Sequence, residues 1–206
     1  MFAASGESLA KMRVVMKKMS GTHFHEHLHV IHDVADVLDS DDLHYAEIGT
    51  YHGCSAMFAA AHPKITRVTS IDPFVIKGQE DAFRKNIASC VAKDKIHHMK
   101  MFSQDVNVQD LDPIDILVID GCHKYKSVIR DFDHFKGIVK PGGYVLFDDY
   151  HDSKYSPQVK PAVDDIVKSL DPTSFEVVGT VKNSVGAIPP VARNENNTFF
   201  LRKTSS

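Results

Sequence analysis

The acidic residues of this chain fall in a pattern that could do chemistry. Glu47 and Gly49 close a short apolar run, HYAEIG, and Asp72 closes RVTSIDP. Asp120 and Gly121 close DILVIDG, with His123 just beyond, and Asp148 and Asp149 close YVLFDDY. A carboxylate at the end of a buried apolar segment is costly unless something pairs with it. Asp120, Asp148 and Asp149 would repel one another in a partly dry cleft, and a divalent cation would relieve that repulsion. Oxygen ligands favour Mg2+, with Mn2+ or Ca2+ as alternatives. A plainer reading makes Asp148 a helix cap and Asp149 a solvated turn residue. Asp72 suits a bidentate grip on a ribose diol, because an ionised carboxylate accepts two hydroxyl hydrogen bonds. It also reads as a turn aspartate ahead of Pro73. In EIGTYHGCSA, Gly49 and Gly53 permit close backbone approach, and Ser55 is placed to cap the helix that follows.

The elements that must position these residues alternate. Apolar spacing predicts helices over 7–19 and 26–38, then a strand at 44–49, a helix at 55–62 and a strand at 67–73. A charged helix over 79–92, a strand at 97–103 and a buried strand at 115–121 follow. An amphipathic helix at 124–139, a Pro141-Gly142-Gly143 turn, a strand at 144–150 and a helix at 160–170 come next. Two segments, 175–182 and 197–203, read as a closing antiparallel pair around a loop at 186–197. Strand and helix in alternation imply an α/β fold with a mostly parallel sheet and helices on both faces. In such a sheet ligands bind outside the carboxyl ends of the strands, so one edge would collect the five carboxylates and the glycines.

The chain is read as one domain, residues 1–206, with a helical segment at 1–40 and the α/β core at 41–206. A net charge of −3 offers no basic field for nucleic acid. No apolar run approaches the length of a membrane span, and the first residues lack the pattern of a secretory signal. Three cysteines, Cys54, Cys90 and Cys122, are an odd and widely spaced set that suits a reducing, cytoplasmic compartment over a disulfide framework. A homo-oligomer stays open.

The strings EIGTYHGCSA, SIDPF, DILVIDGCHKYKSVIRDF and VKPGGYVLFDDY resemble, in order and spacing, the class I S-adenosylmethionine-dependent methyltransferases. They are most similar to the metal-dependent group that contains macrocin O-methyltransferase and related sugar O-methyltransferases. The resemblance spans about residues 40–170 and implies a Rossmann-like three-layer sandwich of seven strands, the last antiparallel. It implies that Glu47, Gly49, Tyr51 and Gly53, with Thr50 and Ser55 beside them, line the methionine and ribose part of S-adenosyl-L-methionine. Asp72 and Pro73 would lie at the ribose, Phe74 and Ser103 at the adenine, and Asp120 against the cofactor and the metal. Asp120, Asp148 and Asp149 would bind Mg2+ or Mn2+, and His123 would be the general base acting on the hydroxyl of a small-molecule or glycan acceptor. Catechol-type relatives carry a lysine where His123 stands, which favours a sugar hydroxyl over a phenol; a catechol or phenol acceptor is the alternative.

Other readings weigh less. The dinucleotide fingerprint GxGxxG is absent, which counts against a nicotinamide-dependent oxidoreductase. A non-catalytic module would not need the acid and base residues that are all present. The run HFHEHLHVIH places His25, His29 and His32 on one helical face, with His23 and His27 beside it. Without a cysteine or HExxH partner it reads as a polar face, and Met12, Met16 and Met19 read as a packing stripe.

Overall fold

A computed structural model describes residues 29–180 and 198–204. The expected helix at 7–19, the start of the one at 26–38, the methionine stripe, His23, His25, His27 and the 186–197 loop lie outside the described residues. In chain order the elements are α1 (His29–Val37), β1 (Leu43–Ile48), α2 (Cys54–Ala60), β2 (Ile65–Ile71), α3 (Gln79–Ala88) and β3 (Ile96–Met99). Then come β4 (Ile114–Ile119), α4 (Tyr125–Phe135), β5 (Val139–Phe147), α5 (Val159–Ser169), β6 (Phe175–Thr180) and β7 (Phe199–Lys203).

The seven strands form one sheet in the order β3-β2-β1-β4-β5-β7-β6, with β7 antiparallel to both of its neighbours and the other pairs parallel. The chain order reverses between β1 and β4, which is where an open sheet of this kind leaves a crevice. Strands β1 and β4 are buried along their whole length, as strands covered on both faces must be. Period-two alternation splits their side chains between two cores. Tyr45, Val118 and Leu146 pack with Val30, Ile31 and Val34 of α1 and with α2. Ala46, Leu117, Val145 and Phe147 pack with Val128 and Phe132 of α4 and Ala162 and Val163 of α5.

Two local expectations change. Pro141-Gly142-Gly143 is not a turn ahead of β5 but an irregularity inside it: Val139 pairs with Ile114 and Tyr144 with Ile116, and the residues between bulge out around Gly142 at φ 83°. Gly143 must be glycine, since a Cβ there would lie 2.8 Å from the Asp115 carbonyl oxygen. Ser55 does not cap α2. The helix starts a residue earlier, at Cys54, because Gly53 takes φ 82° and turns the chain into it without a side-chain cap.

At the opposite end of the sheet, His44 is buried with Nδ1 3.1 Å from the Asp112 carbonyl oxygen and Nε2 2.8 Å from the Thr69 hydroxyl. A carbonyl only accepts, so Nδ1 carries the hydrogen and Nε2 accepts from Thr69. Burial, and then the charge of Arg67, hold the pKa of His44 below its ordinary 6.5. The unfolded chain therefore takes up the proton first, and the neutral histidine stabilises the fold fully above pH 6.5 and less as pH falls through the lowered value. Urea midpoints of the native chain should drop as pH falls below 6.5, and His44→Asn should show a shallower drop from a lower starting stability.

Candidate functional site

The site is built by register. Ile71, Ile48, Ile119, Phe147 and Phe199 are paired across β2, β1, β4, β5 and β7. The next residue towards the carboxyl edge of each parallel strand is Asp72, Gly49, Asp120 or Asp148, and Thr198 stands opposite Asp148 on the antiparallel strand. These residues therefore form one row. Its ladder continues one step past the strand ends: Gly49 N donates to Ile71 O at 2.9 Å, Asp120 N to Ile48 O at 2.9 Å and Asp148 N to Ile119 O at 3.1 Å. Gly49, Asp120, Asp148 and Thr198 line a narrow cavity with Tyr45, Ser55, and Val30 and Ile31 of α1.

Glycine is required in the first position of the β1 loop. Gly49 has φ 87°, and a Cβ on it would sit 2.2 Å from the Asp120 carbonyl oxygen, so the ends of β1 and β4 approach backbone to backbone. Three non-glycine residues have positive φ among the described residues, Tyr51, Phe74 and Asp149. They stand in the loops after β1, β2 and β5, all at this edge. Such conformations cost about 1–3 kcal/mol each and persist only where the surroundings over-determine them.

Asp72 over-determines two of the three. Its Oδ2 accepts from the backbone N–H of Thr50 and Tyr51 at 3.1 Å each and from Gln79 Nε2 at 3.0 Å, and its Oδ1 accepts from Phe74 N at 2.7 Å. The carboxylate thus ties the β1 and β2 loops together. A ribose would meet a group already holding these donors. Phe74 stacks on His98, with ring centroids 4.5 Å apart, and tilts against Phe83 at 5.2 Å, while Tyr51 lies half exposed on His52. Pro73 lies between Asp72 and Phe74, partly buried. Thr50 is buried below the loop. The Ser103 hydroxyl is buried and donates to Asp131 of α4 at 2.7 Å, so it pins the segment after β3 to that helix.

Glu47 is fully buried and accepts from Tyr45 Oη at 2.8 Å and from Ser70 Oγ at 2.9 Å. Burial raises its pKa against the opposing pull of these donors and of Ser55. Glu47 is therefore a support beneath Gly49, one step back from the row.

His123 stands where the row meets the β5 loop. Its Nε2 is 3.2 Å from Asp120 Oδ1, and its Nδ1 is 3.2 Å from Asp149 Oδ2. One ligand atom from each of Asp120, His123 and Asp149 lies within 4.8 Å of the others, a spacing that could hold a metal ion. Asp148 is set back on the α1 face of the sheet, 5% exposed, with Thr198 Oγ1 at 3.4 Å. Alternation sends its side chain to that face, whereas the left-handed turn at Asp149 (φ 59°) sends the next carboxylate to His123. The hydrogen bond to Asp120 raises the pKa of His123 to about 9 against the pull of burial, with the charges of Asp120, Asp149 and Asp148 adding to it. Burial, then the neighbouring Asp149, push Asp148 up to about 8. Two residues that the sequence reading did not single out belong to the site. Ser156, buried, touches both His123 and Asp149. Tyr150 fixes the Asp148-Asp149 loop to α5 by donating to Asp164 at 2.6 Å and accepting from Lys160 at 3.0 Å. Ser156 lies outside the motif strings and Tyr150 only ends one of them, and each acts across a loop–helix junction that only folding creates.

A family model described as a methyltransferase domain matches residues 46–150, from β1 through the end of the row. An uncharacterised protein of Acanthamoeba polyphaga mimivirus is 37% identical over 206 residues, spanning 93% of both chains. Among solved structures, an rRNA methylase from Streptococcus thermophilus superposes with a TM-score of 0.65 at 16% identity, covering 89% of this chain and 100% of that one. The O-methyltransferase TomG from Streptomyces achromogenes, in complex with SAM, gives a TM-score of 0.66 at 14% identity, covering 98% of this chain and 91% of that one. An O-methyltransferase from Bacillus cereus with SAH gives 0.61 at 15% identity, covering 95% and 91%. At these identities the structural likeness is one of fold, the Rossmann-like seven-stranded sheet described above.

Two outcomes test the site's construction. Gly49→Ala should destabilise the chain by at least about 1–3 kcal/mol, read from urea unfolding, because it adds left-handed strain to a backbone collision. The raised pKa values carry a sign as well. His123 and Asp148 hold protons in the folded state that the unfolded chain releases at 6.5 and 3.8, so their contribution is full below those values and is lost as pH rises through about 9 and about 8. In a chelating buffer, thermal stability should fall between pH 7 and 9, and His123→Gln should flatten that fall.

Proposed function

This chain belongs to the methyltransferase-domain family, and from that premise we propose that it methylates a hydroxyl of a saccharide or glycosylated small molecule, with S-adenosylmethionine as donor and Mg2+ or Mn2+ as helper. The observation that carries the reading is His123 held between Asp120 and Asp149, at 3.2 Å from each, beside the Gly49 turn.

The residues present fit both groups. The backbone of Gly49 at the cavity wall, with Tyr51 and Phe74 along the rim, would receive the donor, whose sulfonium supplies an activated methyl. The carboxylates of Asp120 and Asp149 would hold a divalent cation, with Asp148 set back behind them, and the cation would make the acceptor hydroxyl more acidic. The work of the chain's own residues is then orientation and proton transfer. Gly49 keeps the β1 and β4 ends together. Asp120 and Asp149 aim the imidazole, and His123 takes the acceptor proton. Its raised pKa comes from the hydrogen bond to Asp120 and the negative charge gathered around it. Positive charge bound there would lower it towards the range in which an imidazole acts as a base near neutral pH.

The activity test uses purified protein with labelled S-adenosylmethionine. Removal of divalent cations with EDTA should abolish transfer, and Mg2+ or Mn2+ should restore it; transfer indifferent to chelation would remove the metal from the proposal. His123→Ala should lower kcat by about 100- to 10,000-fold, with S-adenosylhomocysteine affinity by calorimetry nearly unchanged. A panel of deoxysugar glycosides and diphenols decides the acceptor, and preference for the diphenols would overturn the saccharide assignment. Independently of activity, Mn2+ should raise the melting temperature, and by more at pH 8.5 than at pH 6.5, since it competes with the protons on this cluster.

A further inference from the structure

Ser156 lies in the loop between β5 and α5 and is 2% exposed. Its Oγ donates to Asp149 Oδ2 at 2.6 Å and lies 2.7 Å from His123 Nδ1. Its backbone is fixed on both sides. Ser156 N donates to Asp152 O at 3.2 Å, and Ser156 O accepts from Val159 N, the first residue of α5, at 3.1 Å. The turn leading to it is closed by Asp152 Oδ1, which accepts from Lys154 N and Tyr155 N at 2.9 Å each. A serine held in place by its own main chain is a fixed point against which a side chain can be oriented.

A hydroxyl has one proton to give. Given to Asp149, an acceptor-only carboxylate, it leaves the Ser156 oxygen to receive a hydrogen from His123 Nδ1. The chain Nδ1–H to Oγ–H to Oδ2 then closes with every donor facing an acceptor. Turned the other way, Ser156 would donate to Nδ1, and Asp149 Oδ2, 3.2 Å from that same nitrogen, would face a bare lone pair. The first arrangement satisfies Ser156, Asp149 and Nδ1 together, and Nε2 is the ring nitrogen on the Asp120 side, 3.2 Å from its Oδ1.

We propose that Ser156 is a positioning residue that locks the imidazole of His123 to the Asp149 carboxylate through Nδ1 and so fixes the ring with Nε2 on the Asp120 side. The inference rests on the reading of His123 as the base. A histidine free to rotate at this point would offer either nitrogen, and small misplacements of a catalytic group can cost about 100-fold in rate.

The test compares native protein, Ser156→Ala, Ser156→Cys and His123→Ala, all labelled with 15N-histidine and held at one pH without added cation or cofactor. The native spectrum should contain a hydrogen-bonded ring Nδ1–H signal that exchanges slowly with solvent and is assigned by its absence from His123→Ala. Ser156→Ala should lose that signal while keeping its melting temperature. Cysteine, close in size and a weak hydrogen-bonding group, should do the same and serves if the alanine chain does not fold. With cation and donor present, kcat should fall about 10- to 100-fold with the KM for S-adenosylmethionine unchanged. Persistence of the slow Nδ1–H signal in Ser156→Ala and Ser156→Cys would overturn the inference. Native turnover by His123→Ala would instead overturn the reading of His123 as base, and the ring signal would then decide Ser156's hold on the imidazole by itself.

Discussion

The parallel register of four strands is the constraint on which the rest depends. Because Ile48 stands opposite both Ile71 and Ile119, and Ile119 opposite Phe147, the four residues that follow are forced into line. Strand periodicity then sends Asp148 to the α1 face, away from the core formed by Phe147, α4 and α5. A slip of one residue in any strand would carry its acidic residue to the opposite face and put an apolar side chain in its place. The branched and aromatic residues buried just beneath the row hold that register, since their displacement would expose two cores at once.

The edge is strained, and its strain is distributed. Tyr51, Phe74 and Asp149 adopt backbone conformations that L residues avoid, each next to a carboxylate that takes up hydrogen bonds. Asp72 serves three backbone donors and a glutamine, so its first role in the chain is to weld the β1 and β2 loops. Its charge and its geometry are both used before any ligand arrives. Glu47 has a comparable place underneath, buried and satisfied by a tyrosine and a serine. The carboxylates are therefore not equivalent: Glu47 and Asp72 build the edge, and Asp120 and Asp149 face His123 across it.

Much of this was legible in the residues. Alternating apolar runs located every described strand, and the closing antiparallel pair was readable from 175–182 and 197–203. The acidic residues at strand ends marked the functional edge. Local chemistry was read less well where several conformations satisfy the same residues. Pro141-Gly142-Gly143 has the composition of a turn, and became a bulge because Val139 had already found Ile114 as its partner. The bond from the Ser103 hydroxyl to Asp131 had no signal in the sequence, because a 3-10 turn after β3 brings it against α4 only in the folded chain.

What the sequence by itself determined is the alternation of elements, the family, and which residue types gather at the carboxyl edge, because periodicity and motif spacing are properties of neighbours along the chain. The tertiary structure alone decided that Asp148 turns to the α1 face while Asp149 turns to His123, and that Ser156 joins His123 to Asp149. Those choices depend on a left-handed backbone at Asp149 and on a contact between residues 33 positions apart. Neither leaves a trace in local spacing, since each is set by packing between a strand end, a loop and a helix that meet only in the folded chain.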